Sequence, residues 1–261
     1  MKKLLLTTDD FGMCHAVNEG VVEAMTRGPV TSTNFLAPAP WFHEAVALAK
    51  EHGLAVGVHL CLGSDWDRLG WGPLTGNPRL MGPDGRFPQR PESLEETGAT
   101  EADVYDELAA QVRLVQRAYG QPTHVETHML GGRWRGGFAD RLQAVVVKLA
   151  QDFKLAYTYE RDRASGRLKH FVDEDCHSGW TRQAFLQKLA SWDRPGAYHL
   201  CGHAAVASPE LEALCSPQHP ARAWAAEWRL MDQALYRDPG LKRDIEALGF
   251  RLVDVGQALA A

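Results

Sequence analysis

The order of strand-like and helix-like segments predicts an α/β fold, a (β/α) barrel-like domain of about seven parallel strands. Short apolar or β-branched runs alternate with amphipathic segments along the chain. A length of 261 residues fits one α/β barrel, and no linker composition divides it, so we expect a single domain over residues 1–261. The alternative is an open, doubly wound sheet.

The periodicity of apolar residues defines the elements one by one. Gly28-Pro29 ends the first helix, Gly53 ends the second, and a β-branched run lies between them. The predicted strands are 3–8, 30–36, 55–62, 123–127, 155–159, 197–202 and 250–255. The predicted helices are 15–27, 41–52, 101–119, 138–152, 181–191 and 222–236. Residues 63–100, rich in Gly, Pro and Trp, form a long loop, which we expect to lie over the mouth of the barrel.

Composition narrows the classes of partner. A formal charge of −5 does not favour binding to nucleic acid or acidic lipid, both of which are negatively charged. No stretch approaches the roughly 20 apolar residues of a membrane span. The apolar run that starts the chain is too short for a signal peptide, so we expect a cytoplasmic protein. Five scattered cysteines without a CxxC spacing predict reduced thiols. A homodimer is left open.

The first predicted strand ends in Asp9-Asp10-Phe11-Gly12. Strand interiors disfavour aspartate, so the pair belongs at the strand's end, where one carboxylate can bind a metal ion and the other can move a proton. Alternatively, Asp10 is simply the N-cap of the helix that begins near His15. Successive side chains of a strand point to opposite faces, so both aspartates can share a site only if the strand breaks near Gly12.

Three histidines lie where predicted strands end, namely His59, His128 and His203. Each alone is more often a core or surface histidine than a ligand. Together with the aspartates, however, they lie where α/β barrels build their active sites. One aspartate and two histidines suit a divalent ion in metal-assisted hydrolysis, with a second carboxylate as base and a further histidine as acid.

The absence of other motifs excludes several classes of enzyme. No GxGxxG follows the first strand, and the chain has no GxxxxGK[ST] and no GxSxG. These absences argue against nucleotide-cofactor enzymes, P-loop enzymes and serine hydrolases.

The chain resembles the YdjC-like family of carbohydrate deacetylases. The resemblance is strongest in Thr8-Asp9-Asp10-Phe11-Gly12 and Gly57-Val58-His59-Leu60, and it extends through His128 to residues 222–253. It implies a distorted (β/α) barrel, TIM-like in outline, that removes acetyl groups from N-acetylated mono- or oligosaccharides. It also implies one divalent metal ion, zinc or magnesium, with manganese or cobalt as alternatives.

The resemblance also implies roles for individual residues. Asp10, His59 and His128 would bind the metal, Asp9 would be the general base and His203 the general acid, with His199 as the alternative acid. The chain departs from the family pattern at three places, which indicates a divergent member: Glu126 replaces an aspartate, Met129-Leu130 replaces a further histidine, and Ala204-Ala205 replaces Pro-Gly.

Substrate contacts are expected from the loops. Trp66 and Trp71 have polar neighbours, a composition that suits a carbohydrate lid, although both indoles could instead anchor the loop to the barrel. Arg133 is a further candidate for substrate binding. Arg68 and Arg135 are loop arginines as well, and with Arg133 they could bind a phosphate, so a metal-dependent phosphoesterase is one alternative function. A non-sugar amidase and a catalytically silent sugar-binding relative are the other two.

Overall fold

A computed structural model of the chain describes residues 1–129, 138–158 and 171–260. The strands are β1 (Lys2–Phe11), β2 (Ser32–Phe35), β3 (Val56–Leu60), β4 (His124–Thr127), β5 (Ala156–Tyr157), β6 (Asp173–Cys176), β7 (Gly196–Gly202) and β8 (Phe250–Leu252). The helices are α1 (His15–Thr26), α2 (Phe42–His52), α3 (Glu101–Ala118), α4 (Phe138–Asp152), α5 (Arg182–Ala190), α6 (Pro209–Ala213), α7 (Arg222–Ala225), α8 (Glu227–Tyr236), α9 (Leu241–Ala247) and α10 (Val255–Leu259). Two short 3₁₀ helices, Pro78–Leu80 and Pro91–Glu95, lie in the long loop.

All strand pairs are parallel, in the order β5-β4-β3-β2-β1-β7-β6. The sheet curls into a half-barrel; over the described ranges no ladder joins β5 to β6. β7 pairs along one edge of β1, while β8 pairs with the first residues of the other edge and β2 with the last. The barrel-like α/β prediction is confirmed.

β1 lies at the centre of the core. Leu4, Leu5 and Leu6 are completely buried, as expected for a parallel strand covered on both faces. Leu4 and Leu6 pack in a cluster with Phe185 of α5, whereas Leu5 packs in a separate cluster with Val255 of α10. The aspartate pair at the end of β1 is therefore carried by a strand that is packed on both faces.

Several elements differ from the prediction. The strand β6 was not predicted, because Asp-Glu-Asp-Cys has no strand-like character; it is tolerated because it is half-buried and, among the described strands, pairs with β7 alone. The helix predicted at 222–236 divides at Ala226 into α7 and α8. The last predicted strand ends at Leu252, and the Asp254 capping box then starts α10. β5 is only two residues long, and Tyr159 lies outside the described residues.

Two side chains of α3 hold the long loop. Both carboxylate oxygens of buried Glu107 accept backbone N–H groups, from Leu74 (3.1 Å) and Thr75 (2.9 Å). Gln111 bonds both the N–H and the carbonyl of Cys61, where the loop begins. The loop is thus fixed at its start and near its middle. None of the described helices has the length and apolar character needed to cross a membrane.

Candidate active site and metal centre

A bulge at the end of β1 brings the two aspartates to one side. Between Thr8 and Phe11 the strand has two residues where β2 has only Asn34. Asp10 takes the left-handed conformation, with φ of 69°, which interrupts the alternation of side chains. The break expected near Gly12 therefore occurs at Asp10 itself. The N-cap interpretation of Asp10 is wrong, because Cys14 is the N-cap of α1.

Three potential ligand atoms converge beside this bulge. Asp10 Oδ1 lies 3.4 Å from His59 Nε2 and 3.1 Å from His128 Nδ1. The two imidazole rings meet edge to face, with their centroids 5.0 Å apart. All three residues are buried, and their ligand atoms lie within 4.8 Å of one another.

This donor set fits a divalent cation. Asp10 Oδ1 is buried and has no hydrogen-bond partner in the described part of the chain, although two ring nitrogens face it. Such an orphaned buried oxygen is rare in proteins unless something else satisfies it. Two imidazole nitrogens and one carboxylate oxygen match the protein donors of catalytic zinc sites.

Charges around the three ligands keep Asp10 ionised. Burial alone would raise the pKa of Asp10, but the guanidinium of Arg229 and the ring of His128 hold it well below its usual range. Arg229 is itself buried and donates from Nη2 to Asp10 Oδ2 at 2.6 Å. One oxygen of Asp10 is thus neutralised by arginine, and the other stays available to a cation.

Asp65, from the long loop, orients His128. Its two carboxylate oxygens lie 3.1 and 3.0 Å from His128 Nε2, on the opposite side of the ring from Asp10. Burial opposes charging of this ring, yet the carboxylates of Asp65 and Asp10 raise the pKa of His128 well above its ordinary value. A carboxylate on the outer nitrogen is the usual support of a metal-binding histidine.

Asp9 is held at the inner side of the site. Its Oδ1 accepts a hydrogen bond from Asn34 Nδ2 at 2.9 Å, and its Oδ2 lies 3.9 Å from His59 Nε2. The same amide group donates to Glu126 Oε2 at 3.2 Å. Burial and the charge of Asp9 raise the pKa of Glu126 well above its ordinary value, so Glu126 holds its proton more readily than a free glutamate does.

His203 lies in the loop that follows β7. Its Nδ1 lies 3.2 Å from Ser178 Oγ, and its backbone N–H donates to Asp232 at 2.9 Å. Burial and the charge of Arg229 lower its pKa, while Asp10, Asp9 and Asp232 oppose that shift. His199, the alternative acid, is fully buried and bonds Thr7 Oγ1 at 3.0 Å. His203 is thus the more accessible of the two.

The comparison with known sequences establishes the family. A family model of YdjC-like proteins matches residues 3–247. The chain belongs to the YdjC-like family. The resemblance of the sequence motifs is thereby confirmed.

Relatives cover this YdjC-like chain almost completely. A carbohydrate deacetylase of Geobacillus stearothermophilus is 29% identical over 258 residues, 95% of each chain. The chitooligosaccharide deacetylase of Yersinia enterocolitica is 27% identical and covers 96% of this chain and 97% of its own. A crystal structure from Enterococcus faecalis V583, of a protein assigned to cellobiose-phosphate cleavage, covers 99% of both chains with a TM-score of 0.81. At 24% identity that likeness establishes the fold.

The loop residues expected to contact substrate have a different environment in the YdjC-like chain. Trp66 and Trp71 are only 3% and 4% exposed, and their N–H groups donate to Met13 Sδ and Cys61 Sγ. Such burial favours their interpretation as anchors of the loop over that of a sugar platform. Arg68 is exposed at the surface. Arg133 and Arg135 lie outside the described residues.

Four residues of the site were not predicted from the sequence. Arg229 is a helix residue remote in sequence, and Asp232 lies one turn further along the same helix. Asn34 is found only by knowing which residue the bulge faces. Asp65 had a usable signal, since an acidic residue shortly after a strand's end can turn back into the site. All four residues reach the site through contacts in the folded structure, and their spacing from the motifs along the sequence does not reveal them.

Proposed function

We propose that this chain is a metal-dependent hydrolase that removes acetyl groups from N-acetylated mono- or oligosaccharides. The observation that carries the proposal is the convergence of Asp10, His59 and His128 beside a second carboxylate, Asp9. Relatives named carbohydrate deacetylase and chitooligosaccharide deacetylase, which match over nearly the whole chain, support the choice of substrate class.

Asp10, His59 and His128 would hold one divalent ion through Oδ1, Nε2 and Nδ1. Bound there, the ion supplies a Lewis acid that polarises the acetamide carbonyl and lowers the pKa of a water molecule. Two nitrogen donors favour zinc over magnesium, since magnesium prefers oxygen ligands. Manganese and cobalt are alternatives that the same donor atoms could bind.

Asp9 acts as the general base. Asn34 occupies its Oδ1, and this hydrogen bond leaves Oδ2, on the side of His59, to accept a proton from water. His203 acts as the general acid and gives a proton to the amine nitrogen as the amide C–N bond breaks. The products are acetate and the free amino sugar, and solvent restores both protonation states.

Location and assembly belong to the same proposal. All five cysteines are free thiols, as expected in a reducing compartment, and we place the protein in the cytoplasm. The acidic net charge of −5 supports a small neutral sugar over nucleic acid or an anionic membrane as its partner. A homodimer stays a prediction to be measured.

The test is acetate release from N-acetylglucosamine and its oligomers by zinc-loaded protein. We expect acetate from at least one of these sugars, and its loss in the Asp9→Asn variant. p-Nitrophenyl phosphate in parallel distinguishes the alternatives. Phosphate release without acetate would identify a phosphoesterase, and sugar binding without either product would identify a silent relative.

A further inference from the structure

Ser178 lies against the proposed acid, His203. It follows β6 by two residues, while His203 comes directly after β7. Ser178 Oγ is 2.7 Å from the carbonyl oxygen of His177 and 3.2 Å from Nδ1 of His203. A hydroxyl group has one hydrogen, so it can donate to only one of these two neighbours.

The shorter contact decides where that hydrogen lies. A carbonyl oxygen carries no hydrogen, so an approach of 2.7 Å requires Ser178 to donate to His177. Only lone pairs of the serine oxygen then face His203, and a hydrogen bond at 3.2 Å requires the ring to donate from Nδ1.

We propose that Ser178 is a positioning residue that fixes the hydrogen of neutral His203 on Nδ1, so that Nε2 is the nitrogen that gains and releases the catalytic proton. This inference rests on the proposed role of His203 as the acid. As the amide C–N bond breaks, the proton on Nε2 passes to the amine nitrogen, and the ring returns to its neutral form with hydrogen on Nδ1.

A buried carboxylate holds the two loops in register. Asp232 of α8 is completely buried, and its Oδ1 accepts the backbone N–H of Gly179 at 2.9 Å. Its Oδ2 accepts the backbone N–H of His203, also at 2.9 Å. The residue after Ser178 and the backbone of His203 are thus tied to one side chain, so the serine–imidazole contact does not depend on loop conformation alone.

The ring of His203 is oriented by a further contact. Trp224 meets it edge to face, with centroids 5.2 Å apart. Across the described ranges Nε2 of His203 has no hydrogen-bond partner. The orienting group is a neutral hydroxyl, whereas a carboxylate at Nδ1 would stabilise the charged ring. Ser178 therefore sets the tautomer without making His203 a weaker acid.

The direct test is NMR of ¹⁵N-histidine-labelled protein at about pH 8, where histidine is normally neutral. A His203→Gln variant assigns the two ring nitrogens. We expect hydrogen on Nδ1 in the parent protein and in Ser178→Thr, and a shift toward Nε2 in Ser178→Ala. Hydrogen on Nε2 in the parent, or an unchanged tautomer in Ser178→Ala, would overturn the proposal.

Kinetics separate a positioning role from a structural one. Ser178→Ala should lower kcat about tenfold on an acetamide with KM nearly unchanged, since one hydrogen bond is lost. It should matter less for an activated acetyl ester, whose leaving group needs no proton, and Ser178→Thr should restore the rate. Equal losses on both substrates would overturn the role. If the parent protein releases no acetate yet shows hydrogen on Nδ1, the proposed function fails while the assignment of the hydrogen stands.

Discussion

Asp10 combines a buried charge, a left-handed backbone and an interrupted strand in one residue. A non-glycine residue in this conformation costs about 1–2 kcal/mol, and an unpaired buried carboxylate costs more. Arg229 compensates at Oδ2, and a cation would do so at Oδ1. The residue that we propose as a metal ligand is therefore also one whose burial depends on its partners.

Replacing Arg229 tests this dependence. In metal-free protein Arg229→Met should lower the free energy of unfolding by about 3–5 kcal/mol, because the buried carboxylate of Asp10 loses its guanidinium partner and keeps only the neighbouring histidine rings. Arg237→Met is the matched control, since Arg237 pairs with Glu23 at the surface and should cost under about 1 kcal/mol. Urea unfolding measures both, and equal losses would contradict the role of Arg229.

Replacing Asp9 tests the assignment of the base. Asp9→Asn should lower kcat about 10²–10⁴-fold, the usual contribution of general-base catalysis, and should leave the metal content unchanged. Steady-state kinetics and elemental analysis of the same preparation measure both quantities. A parallel loss of metal would make Asp9 a ligand instead.

At the scale of elements, the glycine of Gly57-Val58-His59-Leu60 has a structural cause. A Cβ on Gly57 would lie 2.4 Å from the ring of His124, which occupies the space above β3. Gly20 and Gly202 act similarly: the first admits the backbone of Ala205 against α1, and the second admits Tyr236 and His177 beneath β7. The absence of a side chain at Gly57 and at Gly202 thus lets neighbouring residues pack closely beside His59 and His203.

Gly57→Ala should therefore cost about 1–3 kcal/mol of stability through overpacking and should weaken metal binding, since His59 follows on the same strand. Gly256→Ala is the control, because its Cβ would meet nothing closer than 3.4 Å. Thermal unfolding and a metal titration measure the two effects. Tolerance of Gly57→Ala with unchanged metal affinity would contradict this explanation of the motif.

The sequence could predict the elements that local pattern determines. The alternating strands, the histidines at their ends and the aspartate pair follow from periodicity and spacing. β6 could not be predicted, because its acidic residues are stable only beside β7. Asn34 and Arg229 could not be predicted either, because the bulge and the packing of α8 bring them to the aspartates.

At the scale of the molecule, buried neutral histidines link folding to pH. Burial lowers the pKa of His124 to about 3 and that of His199 to about 4. Above about pH 6.5 both rings are neutral in the folded and in the unfolded chain, so they contribute fully to the free energy of unfolding. As pH falls below 6.5, the unfolded chain binds protons that the native chain excludes, so stability falls until the native pKa is reached.

The His199→Gln variant isolates one of these groups. Between about pH 6 and pH 4 the parent should lose up to about 1.4 kcal/mol per pH unit more than the variant, the maximum slope for one proton. Urea unfolding of both metal-free proteins over this range measures the difference. Parallel pH profiles would mean that His199 is not a buried neutral ring.

Metal binding by Asp10, His59 and His128 is the central claim, and calorimetric titration of zinc into metal-free protein tests it most directly. The parent and the surface control His52→Ala should bind one ion per chain, whereas His59→Ala and Asp10→Asn should lose most of the affinity. One ion bound with parental affinity by His59→Ala, with the fold intact by circular dichroism, would contradict the account.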